Sequence, residues 1–218
     1  MKPCKKEWII LVALAANLSA QDSYFPRRES RPVYWRALAT FKGLLNEKNC
    51  TRFGFESVEE IKTAELGEPI QEYIIKLDQL RNYKAGSDPS LLLSRSQIVI
   101  FPVIAGNRVR SSIQFAWIDY AWKAVAFGGT NTIRTYTDMR NALMVRLGRT
   151  EDDFFWVHVP WLGLRLIGHY EKEEIFLTPL AGIETLGLKT GVSQPLAGIL
   201  AVLKPLADTY KEQSPLFK

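Results

Sequence analysis

Between Arg108 and Trp117 the chain alternates. Val109, Ser111, Ile113, Phe115 and Trp117 occupy one set of positions, and Arg108, Arg110, Ser112 and Gln114 the other. A strand turns successive side chains to opposite faces, so this period of two dictates a sheet with one face for a core and one for water. Val109, Ile113 and Phe115 are expected to be buried, and Arg108, Arg110 and Gln114 exposed. Before this run, Gln97 to Ile104 reads as a strand. Pro102 inside it lacks a ladder donor, which points to an edge or a bulge. Ala105-Gly106-Asn107 is a turn. After Ile118-Asp119 the chain returns through Trp122 to Phe127 and stops at Gly128-Gly129. The three runs make an antiparallel meander.

The rest of the chain supplies helices and a second β block. Ser30-Arg31-Pro32 is a helix start, with Tyr34, Leu38, Phe41 and Leu45 at helical spacing up to about Lys48. Ser57-Val58-Glu59-Glu60 is a capping box. Ile70 to Leu77 is β-branched enough for a strand, and Leu80 to Asp88 reads as a loop or helical turn. A helix from Thr132 to Leu147 places Ile133, Tyr136, Met139, Arg140 and Leu143 on one side. Strands follow at 154–159, 162–167 and 175–177. Leu196, Ile199, Leu200 and Leu203 mark a last helix, which Pro205 should kink or end. Helices, strands, helix, strands, helix is the order of an α+β protein, not of an alternating parallel chain. The expected architecture is a mainly antiparallel sheet with three to four packed helices. Residues 21–218 read as one domain, and Arg149-Thr150 is where a subdivision would fall.

The first 20 residues read as a signal for export. Lys2, Lys5 and Lys6 precede an apolar run from Trp8 to Ala16, and small Ala20 stands at the expected cut before Gln21. The run is shorter than the roughly 20 apolar residues that cross a bilayer. No stable membrane span is expected once it is removed, and the location is secreted or periplasmic. The whole-chain charge of +5 includes a net +2 from this segment, which leaves +3. Lys and Arg are scattered, without the basic stripe that nucleic-acid binding needs, so that class is set aside. Cys4 leaves with the signal and Cys50 remains alone, so the core must be stable without a disulfide. An isolated cysteine of this kind behaves as a small buried hydrophobe.

Several short pieces carry a resemblance. They are Leu66-Gly67-Glu68-Pro69; Phe101-Pro102-Val103 with Arg108-Val109-Arg110-Ser111-Ser112-Ile113; Trp122-Lys123-Ala124 with Phe127-Gly128; His158-Val159-Pro160; and Leu177-Thr178-Pro179-Leu180. Through them the stretch 66–195 resembles a family of exported bacterial proteins of unassigned function. The resemblance implies export and a compact domain. It carries over no reaction and no site residue.

Motifs for chemistry are sparse. No Gly-x-Ser-x-Gly elbow is present. Cys50 with His158 or His169 could form a thiol-imidazole pair only if the fold joined them. The same histidines with a nearby carboxylate could hold zinc on paper, but no metal-ligand spacing is present. Gly128-Gly129-Thr130-Asn131 opens a helix without the Gly-Lys-Ser of a phosphate loop. What remains is aromatic content: Trp117, Trp122, Trp156 and Trp161 crowd the β blocks. The reading is an exported, non-catalytic protein without a cofactor or metal. It would bind a protein, peptide or glycan partner outside the cytoplasm through an aromatic-rich sheet surface. Arg108, Arg110, Trp156, His158, Trp161 and His169 are the candidate binding residues. The alternatives are a small extracellular hydrolase using His158 or His169, and a carrier of an apolar ligand in a cavity between helix and sheet.

Overall fold

A computed structural model describes residues 31–84 and 86–211. The stretch read as an export signal, the segment 21–29 and the expected Ser30 cap lie outside the described residues. In chain order the elements are α1 (Arg31–Leu44), α2 (Val58–Lys62), β1 (Glu65–Leu66), β2 (Ile70–Ile75), α3 (Leu77–Arg81), β3 (Leu93–Ala105), β4 (Arg108–Ile118), β5 (Ala121–Gly128), α4 (Thr130–Leu147), β6 (Phe154–Val159), β7 (Leu164–Glu171), β8 (Glu174–Pro179), β9 (Gln194–Pro195) and α5 (Leu196–Thr209). This is an α+β fold with a large, mostly antiparallel sheet. Five helices are described where three to four were expected. The extra one is α3, whose five residues fall at the edge of what reads as a loop or turn.

One sheet contains all nine strands, in the order β5-β4-β3-β2-β6-β7-β8-β9, with β1 also on β3. Two antiparallel meanders are joined by the single parallel pair β2–β6, where Tyr73 lies opposite Val157. The sheet therefore runs without a break across Arg149-Thr150.

Helices cover both faces. On one face α1 packs Tyr34, Leu38 and Phe41 against Val99, Phe101, Val103, Ile113 and Phe115. On the same face, over the other meander, α5 packs Leu196, Ile199, Leu200 and Leu203 against Val157, Val159, Leu166 and Leu177. The opposite face takes α4, whose Ile133, Tyr136 and Leu143 meet Ile70, Ile100, Phe154, Trp156 and Ile167. Val99 with Val157, and Ile100 with Trp156, show the two faces alternating along each strand.

Pro102 sits in an inner strand, not at an edge. Its carbonyl accepts from the Gly67 N–H at 2.8 Å. The N and O of one strand residue face the same side, so the missing donor falls in the break between β1 and β2. A bulge follows at once, where Val103 pairs Ser111 but Ile104 pairs Val109. Arg110 is the extra residue, and this overturns its expected exposure. A bulge re-aims the side chain it inserts. Arg110 is 7% exposed, and its Nη2 lies 2.8 Å from Glu56 Oε1 and also contacts Glu60 Oε1. Ile113 and Phe115 are fully buried, Val109 and Gln114 are half-buried, and Arg108 is exposed.

The capping box is displaced by one residue. Ser57 Oγ accepts from the Glu60 N–H at 3.2 Å, but the Glu60 carboxylate accepts from Glu56 N–H at 2.7 Å. Pro205 does not end the last helix, because α5 continues through it to Thr209. An interior proline costs about 3 kcal/mol. Each buried Leu or Ile returns about 1.5–3 kcal/mol. The apolar stripe continues past the proline to Ala207, and Pro205 itself faces solvent.

Candidate functional site

The face covered by α4 holds the two histidines on neighbouring strands, but at opposite ends of their hairpin. His158 pairs in register with Arg165, and His169 with Phe154. Four residues along a strand amount to about 13 Å. His169 is fully buried, packed against Phe154 and Phe176, with Nε2 3.2 Å from Glu171 Oε1. Burial lowers its pKa, and the Glu171 hydrogen bond and charge oppose this. It is a structural histidine.

His158 has more polar company. Its Nδ1 lies 3.7 Å from Glu72 Oε1, and Ser96 donates from Oγ to Glu72 Oε2 at 2.8 Å. Distance alone would suggest an ion pair. Burial pushes the Glu72 carboxyl up, while burial and then the Arg165 charge push the His158 imidazole down, so both move toward their neutral forms. The contact is too long for a hydrogen bond. The order is also wrong for nucleophilic catalysis, which needs the imidazole between hydroxyl and acid. Here the acid stands in the middle, and no imidazole lies between it and the Ser96 hydroxyl.

The tryptophans divide. Trp156 is buried and stacked on Tyr136, with ring centroids 4.9 Å apart. Trp161 is half-buried against the α5 core, edge-on to Tyr210 at 5.4 Å. These two candidates are packing residues. Trp35 on α1 is 54% exposed, Trp122 is buried, and the most exposed aromatic among the described residues, Tyr120, stands at the β4–β5 turn. Trp117 and Trp122 pair edge to face at 5.5 Å, beside exposed Ile118 and Tyr120, the latter 93% exposed. β5 beyond them is the last strand of the sheet order, and Val125 is exposed at a bulge in it.

Arg108 and Arg110 open onto a cleft of about 900 Å³ between α4 and the β3–β4 hairpin. α4 contributes Arg134, Thr137 and Arg140, spaced three apart and therefore on one helix face. Arg134 donates from Nε to Val109 O at 3.0 Å and from Nη2 to Gly54 O at 2.7 Å. Gly54 is required there: its φ is +91°, and a Cβ would stand 2.1 Å from Arg110 O. Arg140 Nη2 lies 2.7 Å from Glu151 Oε2, and its guanidinium stands 6.0 Å from the Tyr136 ring centroid. Burial drives the Tyr136 hydroxyl far above its ordinary pKa, so it stays a neutral phenol.

Sequence reading found Arg108 and Arg110 but missed Arg134 and Thr137. Arg140 was visible on the apolar side of its helix, and a cation on a buried stripe is the one signal that could have marked this cleft. Cys50 lies buried in the α1 core, among residues that include neither histidine. No group of three or more His, Cys, Asp or Glu residues among the described ones could hold a metal. No family model, curated protein or solved structure matches the chain.

Proposed function

We propose that the chain is an exported, non-catalytic protein that binds a peptide or other macromolecular partner along its sheet, at the outer edge of β5. The open edge carries this reading. β5 ends the strand order and pairs only with β4 among the described residues. An extended peptide gains main-chain hydrogen bonds on such an edge, and nearby side chains set its specificity. Val125, Ile118 and Tyr120 supply exposed apolar surface beside it. Lys123 and the bulge at Val125 confine pairing to a short stretch, and both features oppose uncontrolled pairing between copies. The basic and apolar order of residues 1–20 supports a partner outside the cytoplasm. The Ser96-Glu72-His158 order disfavours a histidine hydrolase. The charged lining of the α4 cleft disfavours a carrier of apolar ligands.

Phage-displayed random extended peptides, selected on the immobilised protein, test the proposal. Selected peptides should bind Val125→Lys about tenfold or more weakly, a loss of about 1.4 kcal/mol, while the thermal midpoint stays unchanged. Recovery of no peptide, or equal capture by V125K, breaks the reading.

A further inference from the structure

We infer that the cleft between α4 and the β3–β4 hairpin is a binding site for a carboxylate ligand with an apolar body. This site is separate from the β5 edge and does not depend on it. Its floor holds three polar side chains more than nine-tenths buried: Arg110, Thr137 and Arg140. Each has an atom without a hydrogen-bond partner, namely Arg110 Nε, Thr137 Oγ1 and Arg140 Nε. Buried donors are nearly always satisfied, so three orphans on one cavity floor need a cause.

The protein's own carboxylates show which group fits. Arg110 Nη2 holds Glu56 and Glu60, and Arg140 Nη2 holds Glu151. These acids are not equivalent. The Glu60 side chain is 13% exposed and also accepts from the Glu56 N–H, so it is a fixed counterion. Glu56 is 70% exposed and Glu151 is 42% exposed, so each can swing into water. The orphan atoms are out of reach of solvent. When Glu56 or Glu151 leaves, an incoming carboxylate takes its place on Nη2 and adds the Nε–H. The result is the side-on, two-bond fork that makes Arg–carboxylate pairs strong. The number of ion pairs is conserved, and one orphan donor is satisfied.

The lining also limits the rest of the ligand. Four arginines (108, 110, 134 and 140) face four acids (Glu56, Glu68, Asp138 and Glu151), so no net field draws in a polyanion. Pro102, Ile104, Val109 and Met144 supply an apolar wall. Arg108 is exposed, lines the cleft and has no ion-pair partner among the described residues. A single carboxylate on an apolar body meets all of these features.

Titration of ¹⁵N-labelled protein with hexanoate, and with the isosteric neutral hexanamide, tests the inference through the arginine Nε–H signals. Hexanoate should shift the Arg110 or Arg140 signal saturably, and hexanamide should not. Glu56→Gln removes a competing carboxylate at an exposed position, so it should tighten hexanoate binding by about threefold or more, 0.6 kcal/mol or greater. A merely structural salt bridge would not produce that gain. No saturable shift at concentrations of about 20 mM, well above millimolar Kd values, overturns the inference. So does an equal response to hexanamide, or a Glu56→Gln variant that binds no tighter.

Discussion

The two meanders share a sheet, and a helix covers each on the same face, yet their cores are built from different material. The β3–β5 half is aromatic. Tyr34 lies 4.7 Å from Phe101 and from Phe115, Phe101 meets Phe115 at 5.3 Å, and Phe41 stacks on Phe127 at 5.2 Å. The β6–β9 half is mainly aliphatic under α5, where Leu164, Leu166 and Leu177 meet Leu196, Ile199, Leu200 and Leu203 of the helix and Phe155 is the buried ring among them. Ring pairs have preferred tilts and contribute about 0.5–1.5 kcal/mol beyond the area they bury. Leucine contacts are non-directional and tolerate volume-conserving exchange. The aromatic half is therefore the more specified, and both candidate binding surfaces are built on its strands: the β5 edge and the cleft beside the β3–β4 hairpin. The aliphatic half is a docking platform for α5.

The largest effect should come from the centre of the ring network. Phe115→Ala leaves a cavity facing Tyr34 and Phe101 and should cost about 3–5 kcal/mol in urea unfolding. Combination with Tyr34→Ala should be non-additive by about 0.5 kcal/mol or more, because the rings touch. Additive losses would show that the network has no specifying role.

Leu200→Ala, on the fully buried face of α5, should cost about 2–5 kcal/mol. Because β2–β6 joins the halves into one sheet, this loss should appear in the same transition. Tryptophan fluorescence, which reads Trp117 and Trp122 in one half and Trp156 and Trp161 in the other, and far-UV circular dichroism should shift together. Two separated transitions would show that the halves fold independently.

Gly168 lies in β7 on the face between α1 and α5. A Cβ there would stand 2.1 Å from the Phe155 ring, which occupies the glycine's empty side. Gly168→Ala should cost about 1–3 kcal/mol through overpacking, and the thermal midpoint reads it. Phe155→Leu should recover part of that loss in the double variant. Failure to recover any would place the strain in the backbone instead.

The smallest effect belongs to Glu72, on the opposite face of the same seam. Burial raises its carboxyl above the ordinary value, opposed by the Ser96 hydrogen bond and Arg165. The folded chain therefore holds this proton more tightly than the unfolded chain. The group costs nothing below the unfolded value, costs increasingly as pH rises toward the folded value, and costs a constant amount above it. Glu72→Gln should raise the thermal midpoint by about 1–2 °C near pH 8, and the gain should vanish at acid pH. His158 has the opposite sign. Its lowered value costs stability as pH falls through 6.5, the ordinary value, and it does so in both proteins. A gain that persists in acid would mean that it does not come from the ionisation of Glu72.

Local sequence alone determined the elements whose residues interact with near neighbours. The period of two from Arg108 to Trp117, the turn at Asn107 and the helical spacing of Ile133, Tyr136 and Leu143 are set by backbone geometry that any fold must respect. The α+β class and the antiparallel meanders follow from them. Tertiary structure decided the rest, because it depended on residues far apart in the chain. The parallel β2–β6 pair joins segments separated by more than 80 residues, and no periodicity encodes which strands meet. Arg110 read as a surface residue by alternation. The bulge opposite Ile104, and the arrival of Glu56 and Glu60 from α2 and the residues before it, turned it into a buried cation. Trp156 and His169 read as candidates for a surface, and α4 and the β8 side chains buried them. Period two assigns a residue to a face of the sheet, but only the packing of distant elements decides whether that face meets water.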